Sequence, residues 1–203
     1  MPVAVILRTW TDDAGVSFLD AKGVEVDYDS AMVFPDWGEP EVEHSEGAVF
    51  SDSEEPGVLL VEPEQEGSCG VTVRTLRYSD PLTYTLRVVE APPGSSALVQ
   101  IIDGELPAGQ KADHSFQAAA GEWFVVAVHP AAGECGYLRF EVLDEAGQPC
   151  VDSLYFDAGC DADLQNPAKA LYFGSSEGGS YTVRIEDGHG NQVRYRVYIL
   201  RVE

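Results

Sequence analysis

Basic residues are scarce in this sequence of 203 residues, where 12 Lys and Arg stand against 35 Asp and Glu, giving a formal net charge of −23. A field of this sign repels phosphate backbones and anionic lipid headgroups, so it argues against nucleic acids and membrane surfaces as partners. Three explanations of the acidity stay open: a solubility surface, a saline habitat, or carboxylates that hold a divalent cation such as Ca²⁺.

Long apolar runs and helical patterns are also lacking. No segment approaches the roughly 18 apolar residues that span a bilayer, and no stretch sustains the i, i+3, i+4, i+7 spacing of an amphipathic helix. Residues 1–8 have no basic region ahead of their short apolar stretch, so we expect no signal peptide here. A secreted or periplasmic location of the parent protein then rests on fold type and acidity, and a cytoplasmic location stays open.

Cysteine is limited to Cys69, Cys135, Cys150 and Cys160, too few for a disulfide scaffold. Their spacing contains no C-x-x-C pair, so it matches no zinc pattern. Two alternatives stay open for the last three. Either Cys150 and Cys160 close a loop with Cys135 as a competitor, or the thiols are free and buried as small apolar residues.

Catalytic and nucleotide-binding motifs are missing as well. The sequence has no H-E-x-x-H, G-x-x-x-x-G-K-[ST] or G-x-G-x-x-G. It also has no G-x-S-x-G nucleophile elbow, because residues 174–178, which fit those letters, precede a predicted strand and not a helix. Cys69 follows Ser68 at a turn, and His44, which would have to serve it as a base, has nothing to fix it. We therefore expect no catalytic residues and no nucleotide cofactor, with an undetected hydrolase as a remote alternative.

What the sequence does contain is a series of short alternating segments separated by turn residues. In residues 193–199 the odd positions are Val, Tyr, Val and Ile and the even ones Arg, Arg and Tyr, which predicts a strand with one face on a core. Further strands are predicted at residues 3–7, 16–19, 24–28, 58–61, 71–76, 84–89, 123–128, 138–143, 150–151, 153–156 and 181–185. The acidic, proline-bearing residues 36–56 predict a surface loop.

The two halves of the chain share sequence blocks. Residues 18–23 match 142–147, residues 71–74 match 181–184, and residues 84–88 match 195–199. The fold class is therefore predicted as all-β, with two antiparallel β-sandwich domains of jelly-roll or immunoglobulin-like type in tandem. Their predicted bounds are residues 1–90 and 98–203, with the Pro- and Ser-containing residues 91–97 as a linker.

The second half resembles a known family. Residues 103–116 are similar to the opening motif of the bacterial pre-peptidase C-terminal domain, and residues 120–123, 143–147 and 178–184 follow in the family's order. The resemblance implies a small β-sandwich appended to exported proteins, some relatives of which bind Ca²⁺. It also implies a parent catalytic domain or another protein as the partner.

The first half departs from this pattern because it begins at Val3, which corresponds to about Val125. It lacks counterparts of the two opening strands, so either the sequence is a piece of a longer protein or the first sandwich is built without them. An incomplete sandwich exposes a strand edge, and exposed edges pair with available strands. A partner strand, or a second chain in a homodimer, is the expected occupant.

Candidate binding residues follow from the loops. Asp157, Asp161 and Asp163 stand within seven residues and can converge on one Ca²⁺, although a solvated turn is the plainer interpretation. The residues 11–13 and 27–29 offer weaker carboxylate clusters of the same kind. Trp37, flanked by turn residues, is the candidate for stacking on a ligand or a protein, unless it covers the end of its own sandwich. The leading expectation is a non-catalytic accessory or binding module, and the alternative is an assembly protein that recruits a strand.

Overall fold

The computed structural model describes residues 1–9, 14–19, 25–33, 54–55, 57–61, 70–75, 84–131, 136–151, 153–158, 169–188 and 192–202. Every regular element within them is a β-strand, so the all-β prediction is confirmed. These residues fall into two compact units, the first ending at Ala97 and the second beginning at Leu98. In this described part of the chain, no helix has the length and apolar character needed to cross a bilayer.

The first unit is built from two antiparallel sheets. Its strands are β1 (Val3–Thr9), β2 (Ala14–Leu19), β3 (Glu25–Val33), β4 (Glu54–Glu55), β5 (Gly57–Val61), β6 (Gly70–Thr75) and β7 (Tyr84–Glu90). One sheet has the order β5-β1-β7 and the other the order β4-β3-β2-β6. The short β4 lies within residues 36–56, which the sequence predicted to be a loop.

The core of the first unit lies between these sheets. Val3, Val5 and Leu7 are alternate residues of β1, so they share one face, and they are buried together with Leu59 of β5. Val71 and Val73 of β6 pack against this cluster from the opposite sheet. The alternation in the sequence therefore builds a sandwich, with the residues of β1 that face β6 as its inner layer.

The second unit repeats this architecture with eight strands among the described residues. They are β8 (Leu98–Leu106), β9 (Lys111–Ala118), β10 (Trp123–Pro130), β11 (Gly136–Leu143), β12 (Leu154–Ala158), β13 (Lys169–Gly174), β14 (Gly179–Asp187) and β15 (Val193–Arg201). The two sheets have the orders β13-β10-β15-β8 and β12-β11-β14-β9, and all pairs are antiparallel.

Aromatic side chains join the two sheets of the second unit. The ring of Phe116 on β9 lies 5.3 Å from that of Phe124 on β10 and 6.2 Å from that of Phe173 on β13, both edge to face. Tyr181 on β14 packs against the same group at 5.6–5.8 Å. Such pairs add about 0.5–1.5 kcal/mol each beyond the area they bury.

The outward face of β15 differs from the prediction at one residue. Arg194 is exposed as expected, but Tyr198 is buried, as are Val125 and Ala127 on the same face of β10. Alternation identifies which side chains share a face, but it does not show whether that face is covered. The strand predicted at residues 150–151 is replaced by a single bridge between Leu143 and Pro149.

Candidate functional site

β8 and β9 cover one side of the second sandwich. The candidate site lies on the corresponding side of the first sandwich. β8 pairs with β15 and β9 pairs with β14, so two consecutive strands complete one sheet each. In the β8–β15 register, Gly104 lies opposite Tyr195 and Ile102 lies opposite Val197. Because the sequence places these two strands a short turn apart, they cover the same side of the sandwich.

Tyr195 shows how closely β8 and β9 fit this side. A Cβ atom built on Gly104 would lie 2.5 Å from Cζ of the tyrosine ring, so the position accepts only glycine without rearrangement. The Tyr195 hydroxyl and Nε2 of His114 on β9 are hydrogen-bonded at 2.8 Å. Burial lowers the pKa of His114, against a smaller opposing effect of Asp113, and burial raises the pKa of Tyr195.

Ion pairs hold the outward faces of the same strands together. Arg196 on β15 donates from Nε to Asp103 on β8 at 2.6 Å, and Arg184 on β14 donates through Nε and Nη2 to both carboxylate oxygens of Asp113 on β9 at 2.9 Å. These hydrogen bonds lower the pKa of each aspartate. Exposed pairs of this kind contribute little energy but fix which residues stand opposite each other.

The described strands of the first unit include no counterparts of β8 and β9. Strand order β5-β1-β7 follows the course of β13-β10-β15, and β3-β2-β6 follows that of β12-β11-β14. Among the described residues, no strand pairs with β7 or β6 on the side that corresponds to β8 and β9. We call this surface, formed by the outer edges of β7 and β6, the open side.

An apolar stripe lies on β7 at the open side. Tyr84, Leu86 and Val88 stand opposite Thr9, Leu7 and Val5 of β1, so they share the inward face of the sheet. Their exposed fractions are 46%, 37% and 49%, and they are three of the five large exposed hydrophobic side chains among the described residues. The inward face of this strand is therefore in contact with solvent.

The matching residues of β15 give the comparison that defines the site. Tyr195, Val197 and Ile199 occupy the equivalent inward positions, and their exposed fractions are 4%, 0% and 0%. The residue types are alike in the two strands, so the difference comes from the presence of β8 and β9 in one unit. Sequence reasoning did not name the stripe residues, although the alternation of β7 together with the missing opening strands was the signal for them.

The outward positions of the two strands differ in charge. β15 places Arg194 and Arg196 opposite Glu105 and Asp103 of β8. The corresponding positions of the first half are Thr83 and Thr85. A strand added to β7 would therefore meet Thr85 where β8 meets Arg196, and Arg87 where β8 meets Tyr198.

The ligand residues predicted from the sequence lie largely outside the described part of the chain. Asp161 and Asp163 of the proposed Ca²⁺ loop fall there, as do Trp37, Cys69 and His44. Asp157 lies on β12 opposite Tyr137. Within the described residues, no three His, Cys, Asp or Glu side chains come together as a metal site would require.

The state of Cys150 excludes one of the two alternatives for the cysteines, a loop closed by Cys150 and Cys160. It is a free, buried thiol, so it forms no disulfide with Cys160 or Cys135. Burial, together with Asp144, raises the pKa of this thiol to about 12. The residue is therefore protonated at neutral pH and packs as a small apolar side chain.

Comparisons with known proteins found similarity in structure only. No protein-family model matches the chain, and no curated protein matches it by sequence. A periplasmic inhibitor of g-type lysozyme from Aeromonas hydrophila is similar over 56% of this chain and 93% of its own, with 15% identity and a TM-score of 0.38. The pre-peptidase C-terminal domain of a Bacillus anthracis collagenase is similar over 50% and 89%, with 15% identity and a TM-score of 0.36.

A further structure is similar over a smaller share of its length. It is a family GH115 4-O-methyl-α-glucuronidase with specificity for decorated arabinogalactans, matched over 50% of this chain and 14% of its own, with 14% identity and a TM-score of 0.38. These are similarities of β architecture. What each of these proteins inhibits or hydrolyses is a property of that protein.

Proposed function

We propose that this chain is a non-catalytic binding module that completes its first sandwich with strands from a partner protein. The proposal rests on one observation, the exposed inward stripe of β7. The corresponding apolar residues of the second unit are buried on the side that its own β8 and β9 cover. Addition of a strand to an exposed sheet edge uses backbone hydrogen bonds for affinity and alternate side chains for specificity. The open side offers both.

The energy available at the stripe sets the kind of occupant. Complete burial of a Val or Leu side chain contributes about 1.5–3 kcal/mol, and about half of this remains for each stripe residue, or about 3 kcal/mol in all. Association alone costs at least about 4 kcal/mol. Backbone pairing along β7 and a second strand over the stripe must supply the rest, so a two-strand segment binds better than one strand.

Other parts of the proposal come from the sequence. The likeness of residues 98–203 to the pre-peptidase C-terminal domain supports an accessory role within an exported bacterial protein, with the first unit as an incomplete copy of the same module. Ca²⁺ bound by Asp157, Asp161 and Asp163 would stabilise the second unit. The partner is a protein, either a parent catalytic domain or a separate chain.

The test uses the chain's own closing strands as the probe. A synthetic peptide with the sequence of residues 98–118 is added to the full chain, and amide hydrogen exchange is followed strand by strand. We expect the peptide to slow exchange in β7 and β6, because it supplies the absent edge strands. Leu86→Asp should abolish this protection.

The matched control places the same charge on an equally exposed residue elsewhere. Ile101 on β8 is exposed to 38%, against 37% for Leu86, so Ile101→Asp changes the surface in the same way outside the open side. Protection of β7 should persist in this variant. Unchanged exchange in β7 at every peptide concentration, up to the solubility limit, would contradict the proposed function.

A further inference from the structure

We infer that the strand accepted by β7 belongs to a basic polypeptide and carries glycine opposite Tyr84 and an apolar residue opposite Leu86. This inference rests on the proposed function and names the chemistry of the occupant. It follows from two independent comparisons between the open side and the closed side of the second unit, one steric and one electrostatic.

The steric comparison starts from the register of β8 on β15. Tyr195 fills the space above Gly104, where any Cβ would lie within 2.6 Å of three atoms of the tyrosine side chain. Tyr84 has the same residue type at the equivalent inward position of β7. An added strand with a larger residue there would have to displace the tyrosine ring, and a shift of register by one residue would turn the donor's apolar face outward.

The neighbouring position asks for an apolar residue. Ile102 of β8 stands two residues before Gly104, opposite the fully buried Val197, and Leu86 is the residue of β7 that corresponds to Val197. Because alternate residues of a strand share a face, a donor with the order apolar, any residue, glycine places both groups on the stripe. The donor runs antiparallel to β7, as β8 does to β15.

The electrostatic comparison concerns the outward face of the donor. Asp103 of β8 stands opposite Arg196, but the matching residue of β7 is Thr85, so an acidic donor residue finds no arginine at this position. The one arginine of β7, Arg87, corresponds to Tyr198, which stands opposite Ile101. Residues 1–90 carry 19 Asp and Glu and five Lys and Arg, a net charge of −14. Lysine or arginine at the donor's outward positions is therefore favoured over aspartate or glutamate.

The same charge argues against a second copy of this chain as the occupant. Two copies, each with a formal net charge of −23, repel each other when their first units approach edge to edge. A basic partner gains from this field, and the gain falls as salt screens it beyond about 8 Å at physiological ionic strength. The donor is therefore a basic protein other than a second copy of this chain.

The experiment compares three synthetic peptides on the full chain. The first has the sequence of residues 98–118, the second carries Asp103→Lys and Glu105→Lys, and the third adds Gly104→Val to the second. We expect the lysine peptide to bind about tenfold more tightly than the first at low salt, with the gap closing as salt is added. Gly104→Val should weaken binding by about tenfold or more.

Each outcome separates the inference from the proposed function. Equal binding of all three peptides, with protection of β7, would keep the binding module but overturn the rule for its donor. The inference is overturned if the chain alone sediments as a dimer that Leu86→Asp dissociates and Ile101→Asp leaves intact. The occupant is then a second copy of this chain. No binding of any peptide would remove both.

Discussion

The most direct test of the open side compares two valines on equivalent strands. Val88 of β7 and Val197 of β15 both lie on the inward face of their sheets, but Val88 is exposed to 49% and Val197 to 0%. Val→Ala removes two methyl groups, worth about 1.6 kcal/mol in transfer free energy at about 0.8 kcal/mol each. A buried site adds a cavity term, which brings the expected cost of Val197→Ala to about 2–3 kcal/mol.

Val88→Ala should cost less, about 0.8 kcal/mol, because half of the side chain is already in water and solvent fills the space it leaves. Native-state hydrogen exchange reads the two units separately, through the amides of β7 and of β15, which a single melting curve does not. Bound peptide should then raise the cost of Val88→Ala as the stripe is covered. If Val88→Ala destabilises the free first unit as much as Val197→Ala destabilises the second, the stripe is buried in solution and the reasoning is refuted.

Three further predictions concern the second unit and its loop. Gly104→Ala should destabilise that unit by about 1–3 kcal/mol, because the new Cβ collides with Tyr195, and exchange of β8 amides would detect it; a neutral or stabilising change would show that the ring moves aside freely. Burial lowers the pKa of His114 below its usual 6.5, so the unfolded state gains the proton first. Stability should therefore be greatest above about pH 6.5 and fall as the pH drops below this value, and His114→Gln should flatten a stability profile measured through about pH 6.5 and on its acid side. Ca²⁺ should raise the melting temperature of the unsubstituted chain, and Asp161→Ala should abolish this rise. An unchanged melting temperature of the unsubstituted chain in Ca²⁺ would contradict the proposed metal site.

Much of the fold follows from local pattern, and the reason is visible in β15. Its alternation predicts the buried Val193, Tyr195, Val197 and Ile199, because a side-chain period of two and one covered face leave a clear signal. The prediction that Tyr198 faces solvent was wrong, since the alternation carries no information about what covers the other face of the strand. β13 was missed because Lys169–Gly174 holds a short apolar run without alternation.

The candidate site was less accessible to sequence reasoning than the fold. The sequence pointed instead to Asp157 and Trp37. An acidic loop and a tryptophan between turn residues can be recognised without knowing which strands lie nearby. Tyr84 looks like any other inward residue of a strand, and only a comparison of its exposure with that of Tyr195 distinguishes it. The exposed edge itself was predicted by comparing the two halves of the sequence, because the first half has no counterparts of the two opening strands. The pattern of β7 alone does not show it, since exposure depends on which strands pack nearby.

The composition of β7 gives the last reason to expect an occupant. Sheet edges that remain in solvent are usually blunted by proline, by inward-pointing charge or by lysine, which prevent pairing with other chains. β7 has no proline and no lysine, and its one inward-facing charge, Glu90, stands at the end of the strand opposite Val3. The rest of its inward face is formed by Tyr84, Leu86 and Val88. It thus keeps the pattern of a strand inside a completed sheet, like β15, at a position where its own unit supplies no neighbour among the described residues. An edge with this pattern is stable in solution when it is covered, which the peptide experiments measure directly.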